Sequence, residues 1–145
     1  MGRVVAIDLG SKRIGVASSD VTRLLASPYE VVQRRGSPSV DHRAIAAIVT
    51  ELEAELVVVG LPISLNGREG PAAKLIRAEV VELERALAPV PVVLFDERFT
   101  TVTANQSMIE RNMRADARRR VVDKVAAAVL LQNWLDSNSS TRLTS

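Results

Sequence analysis

Residues 3–9 (RVVAIDL) are apolar and β-branched up to Gly10, which predicts a strand. Residues 14–19 (IGVASS) predict a second strand, and the four-residue link from Gly10 to Arg13 suits a hairpin, so the two should run antiparallel. A third strand is expected near 24–33, with Pro28 pointing to an edge position or an irregular stretch because proline cannot donate to a ladder. The apolar spacing then becomes helical. Ile45, Ile48, Val49 and Leu52 share one face over 39–54, with Ser39 or Asp41 as the cap. LVVVG (56–60) is a continuous apolar run, the pattern of a central parallel strand buried on both faces. A Pro-, Asn- and Gly-rich loop (61–70) leads to a helix over about 71–88, whose stripe is Ala72, Ile76, Val80, Leu83 and Leu87 and whose end is set by Pro89 and Pro91. VVLFD (92–96) predicts a further strand. Thr100 or Thr101 is placed to cap a helix through about 112, and a last helix over about 119–136 carries VAAAVLL, apolar nearly all round and therefore buried.

The order β-β-β-α-β-α-β-α-α predicts an α/β fold: a mixed five-stranded sheet, antiparallel in its first three strands and parallel afterwards, flanked by helices. The 145 residues suit one domain, expected over 1–136, with a flexible polar tail over 137–145. No apolar stretch is long enough for a secretory leader or a membrane span, so a cytoplasmic protein with no membrane partner is expected.

Composition narrows the chemistry. There is no cysteine and a single histidine, His42, which removes thiol nucleophiles, Cys-ligated zinc and multi-histidine sites and leaves little room for a Ser-His-Asp triad. Carboxylates, hydroxyls, lysines and arginines remain. The net charge is only +2, but its placement is uneven. Arg111, Arg114, Arg118, Arg119, Arg120 and Lys124 crowd one segment, and Arg34 and Arg35 form a smaller pair. Such clusters can attract phosphate backbones, or can simply be solvated helix faces. Four aromatic residues are too few for a base-stacking platform.

The acids that sit oddly are Asp8, at the end of one apolar strand, and Asp96 and Glu97, at the end of another. In parallel strands these ends share the carboxyl edge of the sheet, where open α/β sheets place their ligands. Alternation sets Asp8 with Ala6 and Val4, and Glu97 with Phe95 and Val93, a register in which Asp8 and Glu97 can share a face. Asp123 precedes the buried VAAAVLL run and can project toward the same place. Three convergent carboxylates make a hard, all-oxygen set suited to Mg²⁺ or Mn²⁺. Singly, each acid has a plainer reading: a turn residue before Gly10, a surface partner for Arg98, an early-helix acid favoured by the helix dipole.

Four blocks, DLGSKRIGVA (8–17), VVGLPISLNGREG (58–70), DERFTT (96–101) and VDKVAAAVLLQNWL (122–135), resemble in order and spacing the motifs of the bacterial YqgF/RuvX family. Its members are described as Holliday junction resolvases or pre-16S ribosomal RNA nucleases with an RNase H-like fold. The resemblance implies that Asp8, Glu97 and Asp123 are the catalytic, metal-binding acids, and a two-ion site for Mg²⁺ or Mn²⁺ is expected. It gives nucleic-acid-binding roles to Lys12 and Arg13 of the first block and to Arg98 and Thr100 of the third, and Arg118, Arg119 and Arg120 are expected to hold the flanking backbone. The segment 103–124 departs from the pattern in having no glycine and many arginines. The expected function is metal-dependent endonucleolytic hydrolysis of RNA or branched DNA, at the 5′ end of pre-16S rRNA or at Holliday junctions, by a monomer or a homodimer. The alternative is a nucleic-acid-binding module with this fold and no chemistry. A third reading takes Asp8-x-Gly10 to Gly15 as the phosphate hairpin of sugar-kinase-like ATPases, but those enzymes need two lobes and the chain is too short for them.

Overall fold

The computed structural model describes residues 2–63, 67–97 and 125–138. Its elements run β1 (Arg3–Leu9), β2 (Arg13–Ser19), β3 (Ala26–Gln33), α1 (Pro38–Glu51), β4 (Ala54–Leu61), α2 (Pro71–Leu87) and β5 (Val92–Asp96), followed by a helix over 125–138, here α3. The five strands form one sheet in the order β3-β2-β1-β4-β5. The β1–β2 and β2–β3 pairs are antiparallel, and the β1–β4 and β4–β5 pairs are parallel. This is the mixed sheet that the hydrophobic pattern predicts.

Both faces of the central strands are covered, which is why β1 and β4 are apolar at consecutive positions. Val5, Ile7, Leu9, Val57 and Val59 pack against Ile45, Ile48 and Val49 of α1 and Val80, Leu83 and Leu87 of α2. Val4, Ala6, Ala17 and Val58 face the other way, onto Ala127, Leu130, Leu131 and Leu135 of α3. Small residues at positions 6, 17 and 127 let α3 approach the sheet closely. Gln132 fixes its position along the sheet: its Oε1 accepts from the Ala26 N–H at 2.9 Å and its Nε2 donates to the Leu24 carbonyl at 3.1 Å.

The boundaries differ from the sequence reading where backbone conformation overrides side-chain periodicity. Helix α1 begins at Pro38, because a proline at the first helical position gives up an N–H that has no partner there. Ser37 is the N-cap residue through its extended backbone and makes no side-chain cap bond. Neither Ser39 nor Asp41 caps the helix; the Asp41 carboxylate instead accepts from the Arg35 N–H at 2.9 Å. The helix ends at Glu51 because Glu53 turns left-handed, with φ of 52°, and sends the chain into β4 two residues earlier than the apolar run suggests. Pro28 does lie on an edge strand. The β2–β3 register passes from Val16↔Glu30 to Ala17↔Pro28, so Tyr29 is the extra residue of a bulge. Helix α3 continues to 138, with Asn138 Nδ2 donating to the Trp134 carbonyl at 2.9 Å. The helix expected from Thr100 or Thr101 to 112, the start of the last helix at 119 and the tail beyond 138 lie outside the described residues. Among the described residues, no helix is long and apolar enough to cross a membrane.

Leu131 is fully buried between α3 and the sheet. Truncation of Leu131 to Ala is expected to lower the unfolding free energy by about 2–5 kcal/mol, the usual range for an emptied leucine site. A urea titration followed by circular dichroism measures the shift in midpoint.

Candidate active site

The parallel strands β1, β4 and β5 end at one edge of the sheet, and the acids stand there. Asp8 alternates with Val4 and Ala6 and so lies on the α3 face. It pairs with Gly15 across the β1–β2 ladder. On its other side, the ladder that joins Ile7 to Val59 brings Gly60 alongside Asp8. Gly60 in turn pairs with Phe95 of β5, and Glu97 follows two residues later. The Glu97 carboxylate folds back over Gly60, where a Cβ would collide with its Oε1, Cγ and Cδ atoms. Glycines therefore flank Asp8 on both neighbouring strands, and one of them makes the space that Glu97 occupies.

The electrostatics match this placement. The Glu97 carboxyl is raised to about 7, first by burial and then by the negative charges of Asp8 and Asp96. Two carboxylates sharing a half-buried edge raise each other's cost of ionisation. Asp123, the third expected acid, lies outside the described residues. Among the described residues, no group of three or more acid or histidine side chains has the arrangement of a metal site.

The expected nucleic-acid contacts divide in the same way. Lys12 and Arg13 are described and belong to the tight β1–β2 connection at this edge, with Lys12 exposed and Arg13 half-buried. Arg98, Thr100, Arg118, Arg119 and Arg120 lie outside the described residues, as do Ser64 and Asn66 of the loop after β4.

Arg34 is not the surface cation that its neighbour Arg35 suggests. Its Nη1 and Nη2 grip the Glu79 carboxylate at 2.8 and 2.9 Å, and its Nε donates to the Gly10 carbonyl at 2.7 Å. Asp41 lies 3.6 Å from Nη1. His42 Nε2 is 2.8 Å from Glu79 Oε2. Burial pushes the Glu79 carboxyl upward, but its hydrogen bonds from Arg34 and His42 outweigh that and leave it below the usual range. An ionised carboxylate only accepts, so Nε2 is the protonated nitrogen of His42. The glycines at 15 and 60 and the Arg34–Glu79 pair are the parts that residue-type reasoning misses. Gly60 did carry a signal, as the residue that breaks a run of β-branched positions in a buried strand.

Comparison with known proteins agrees with this architecture. The family model described as "RuvX: Holliday junction resolvase" matches residues 2–137. A protein of Rhodococcus erythropolis named "Putative pre-16S rRNA nuclease" is 50% identical over 141 residues, covering 95% of this chain and 80% of its own. A Streptomyces avermitilis protein of the same name is 48% identical over 136 residues, covering 94% of this chain and 86% of its own. Among solved structures, Thermus thermophilus RuvC in complex with a Holliday junction substrate superposes with a TM-score of 0.59 at 16% identity, over 97% of this chain and 98% of that one. That likeness shows the fold, which is RNase H-like.

The raised Glu97 carboxyl has a sign that can be measured. Its folded-state value, about 7, lies above the ordinary 4.5. The folded protein therefore holds a proton that the unfolded chain has lost, and stability falls as pH rises between those values. Glu97→Gln is expected to stabilise the chelator-treated protein at pH 8 by about 1 kcal/mol, because solvent screens part of the repulsion at this half-exposed edge. The gain should vanish below pH 4.5, and thermal unfolding of both proteins across pH 4–8 checks it.

Proposed function

The chain belongs to the RuvX family, a family of nucleases, and from that premise we propose that it is a divalent-metal-dependent endonuclease acting on structured RNA, in the processing of the 5′ end of pre-16S rRNA. The observation that carries the reading is the pair Asp8 and Glu97, held on one face of the sheet's carboxyl edge around Gly60.

The residues present fit a divalent cation. The donors are hard carboxylate oxygens with no sulfur or imidazole among them, the set preferred by Mg²⁺ and Mn²⁺. Gly60 leaves the space in which the Glu97 carboxylate lies, a space that a side chain at position 60 would contest. Asp8 and Glu97 would hold the ion, with Asp123 as the third donor. When bound, such ions supply positive charge against the phosphate and make water more acidic.

The chain's own residues do the rest. Asp8 is carried by a strand paired on both sides and Glu97 by the residue directly after β5, so both backbones start from the edge where a cation would bind. Lys12, exposed in the connection that follows the strand of Asp8, would meet a phosphate of the substrate. Arg13, Arg98, Thr100, Arg118, Arg119 and Arg120 would hold the flanking backbone, which adds affinity with little sequence preference. Relatives near 50% identity carry the pre-16S rRNA name and support the RNA, whereas the family model carries the Holliday junction name and the likeness to RuvC extends to the fold alone. An RNA processor also needs only one active site, whereas symmetric cutting of a junction calls for a two-fold dimer.

The test is cleavage of a pre-16S leader RNA and of a four-way DNA junction, with Mn²⁺ or with EDTA. RNA cleavage that EDTA abolishes is expected. Folded Asp8→Asn should lose at least about a hundredfold in kcat, and full activity in that variant rejects the mechanism. Binding that tolerates EDTA, with no cleavage in either buffer, identifies a non-catalytic binding module instead. Gly60→Ala offers an independent check: the added methyl must displace Glu97, so kcat should fall by about tenfold or more while the protein stays folded.

A further inference from the structure

We propose that Arg34 is a positioning residue: clamped between Glu79 of α2 and the Gly10 carbonyl, it fixes the β1–β2 hairpin so that Lys12 meets the phosphate backbone of the substrate. The inference rests on the nuclease reading above.

The hairpin is held from two directions. From within, Gly10 is confined, because a Cβ there would come within 2.5 Å of the Arg13 carbonyl oxygen. From outside, Arg34 reaches it twice. The Arg34 N–H donates to the Lys12 carbonyl at 3.1 Å, and the side-chain Nε donates to the Gly10 carbonyl at 2.7 Å. The two bonds bracket Ser11, and both tips of the connection, Ser11 and Lys12, are exposed.

Nothing about Arg34 suits it to touch substrate itself. Its side chain is only 18% exposed, and its terminal nitrogens are taken up in the bidentate pair with Glu79. Glu79 is in turn held by His42, a side chain only 4% exposed. The arrangement is a rigid chain of contacts from helix α1, through α2, to a surface turn.

Stability alone is a poor reason for such a chain, since a buried ion pair can be replaced by apolar residues at little cost. Position is a better one. Behind the hairpin lies an open cleft of about 500 Å³, lined by Leu9, Gly10, Ser11, Leu75 and Glu82 among others, with Arg34 and Glu79 in its wall. Gly10 and Ser11 of the turn thus share the lining of an open cleft with the pair that clamps them. A planar guanidinium, whose Nε–H points along a different edge of the same plane from its two terminal nitrogens, can hold a carboxylate and a carbonyl at once, which a lysine ammonium cannot do in fixed geometry.

The experiment is a double-mutant cycle between Arg34→Gln and Lys12→Gln, assayed for Mn²⁺-dependent cleavage of the leader RNA at a temperature where every variant is folded. Arg34→Gln is expected to raise KM about tenfold and leave kcat within about threefold, because Asp8 is held by the strand ladders and not by the clamp. The double variant should be no worse than Lys12→Gln alone, since one residue acts through the other. Arg34→Lys should not restore KM. Additive losses, a loss confined to kcat, or full function in Arg34→Lys would each overturn the proposal. A merely structural arginine would lower the melting temperature without moving KM. If Arg34→Gln does not fold, Glu79→Gln carries the same cycle.

Amide hydrogen exchange gives a reading independent of activity. The amides of Ser11, Lys12 and Arg13 should exchange about tenfold faster in Arg34→Gln, with those of α3 unchanged. Unchanged hairpin exchange overturns the clamp. If the wild-type protein cleaves no RNA, the nuclease reading falls, and the clamp stands or falls on exchange alone.

Discussion

Two carboxylates held at one edge of a sheet repel each other, and the fold must keep them there against that repulsion. Here the constraint is met by backbone. Asp8 is the last but one residue of a central strand paired on both sides, and Glu97 follows directly on a strand whose register is set by β4. Asp8 is held by ladders on both sides, and Glu97 stands one residue beyond the last pair of the β4–β5 ladder. The strain appears as a Glu97 carboxyl that gives up its proton only near pH 7, driven first by burial and then by its acidic neighbours. Sites that bind cations have this character, because the cation relieves what the protein has forced together.

Glycine is the other half of the arrangement. A sheet interior normally disfavours it, since it adds no packing and frees the unfolded chain. At Gly15 and Gly60 the missing side chains clear the ground on either side of Asp8, and at Gly60 the cleared volume is filled by the Glu97 carboxylate. The small residues on the same face, Ala6, Ala17 and Ala127, bring α3 close in the same way. One face of the sheet is thus thin and acidic at its edge, while the opposite face is thick with valine, isoleucine and leucine under α1 and α2.

The polar network on that thicker face ties the hairpin to the scaffold. Arg34 at the end of β3, Asp41 and His42 at the start of α1 and Glu79 in the middle of α2 are far apart in sequence and meet behind the turn that carries Lys12. The acids are placed by the strands, whereas the basic turn is held by the Arg34 main chain and, in addition, by its side chain.

Strand and helix identities were legible along the chain because period and composition carry them. β-Branched runs ended by glycine or proline gave the strands, and three-and-four spacing gave α1 and α2. Asp8 and Glu97 stood out because ionisable groups are rare at the ends of apolar strands, and alternation already allowed them a common face. Helix ends were misjudged where a left-handed Glu53 or a leading Pro38 set the boundary, since those are decisions of the backbone. Arg34 was read as a surface charge because sequence shows a residue's type and not its partner. Its true role depends on Glu79 and Gly10, brought within hydrogen-bond reach only by the packing of α1 and α2 on the sheet. The sequence by itself determined the elements and the chemistry available to them, through short-range periodicity and residue type. Which acid faces which, and which charges are used internally, was decided only when the strands aligned, because long-range register leaves no local trace.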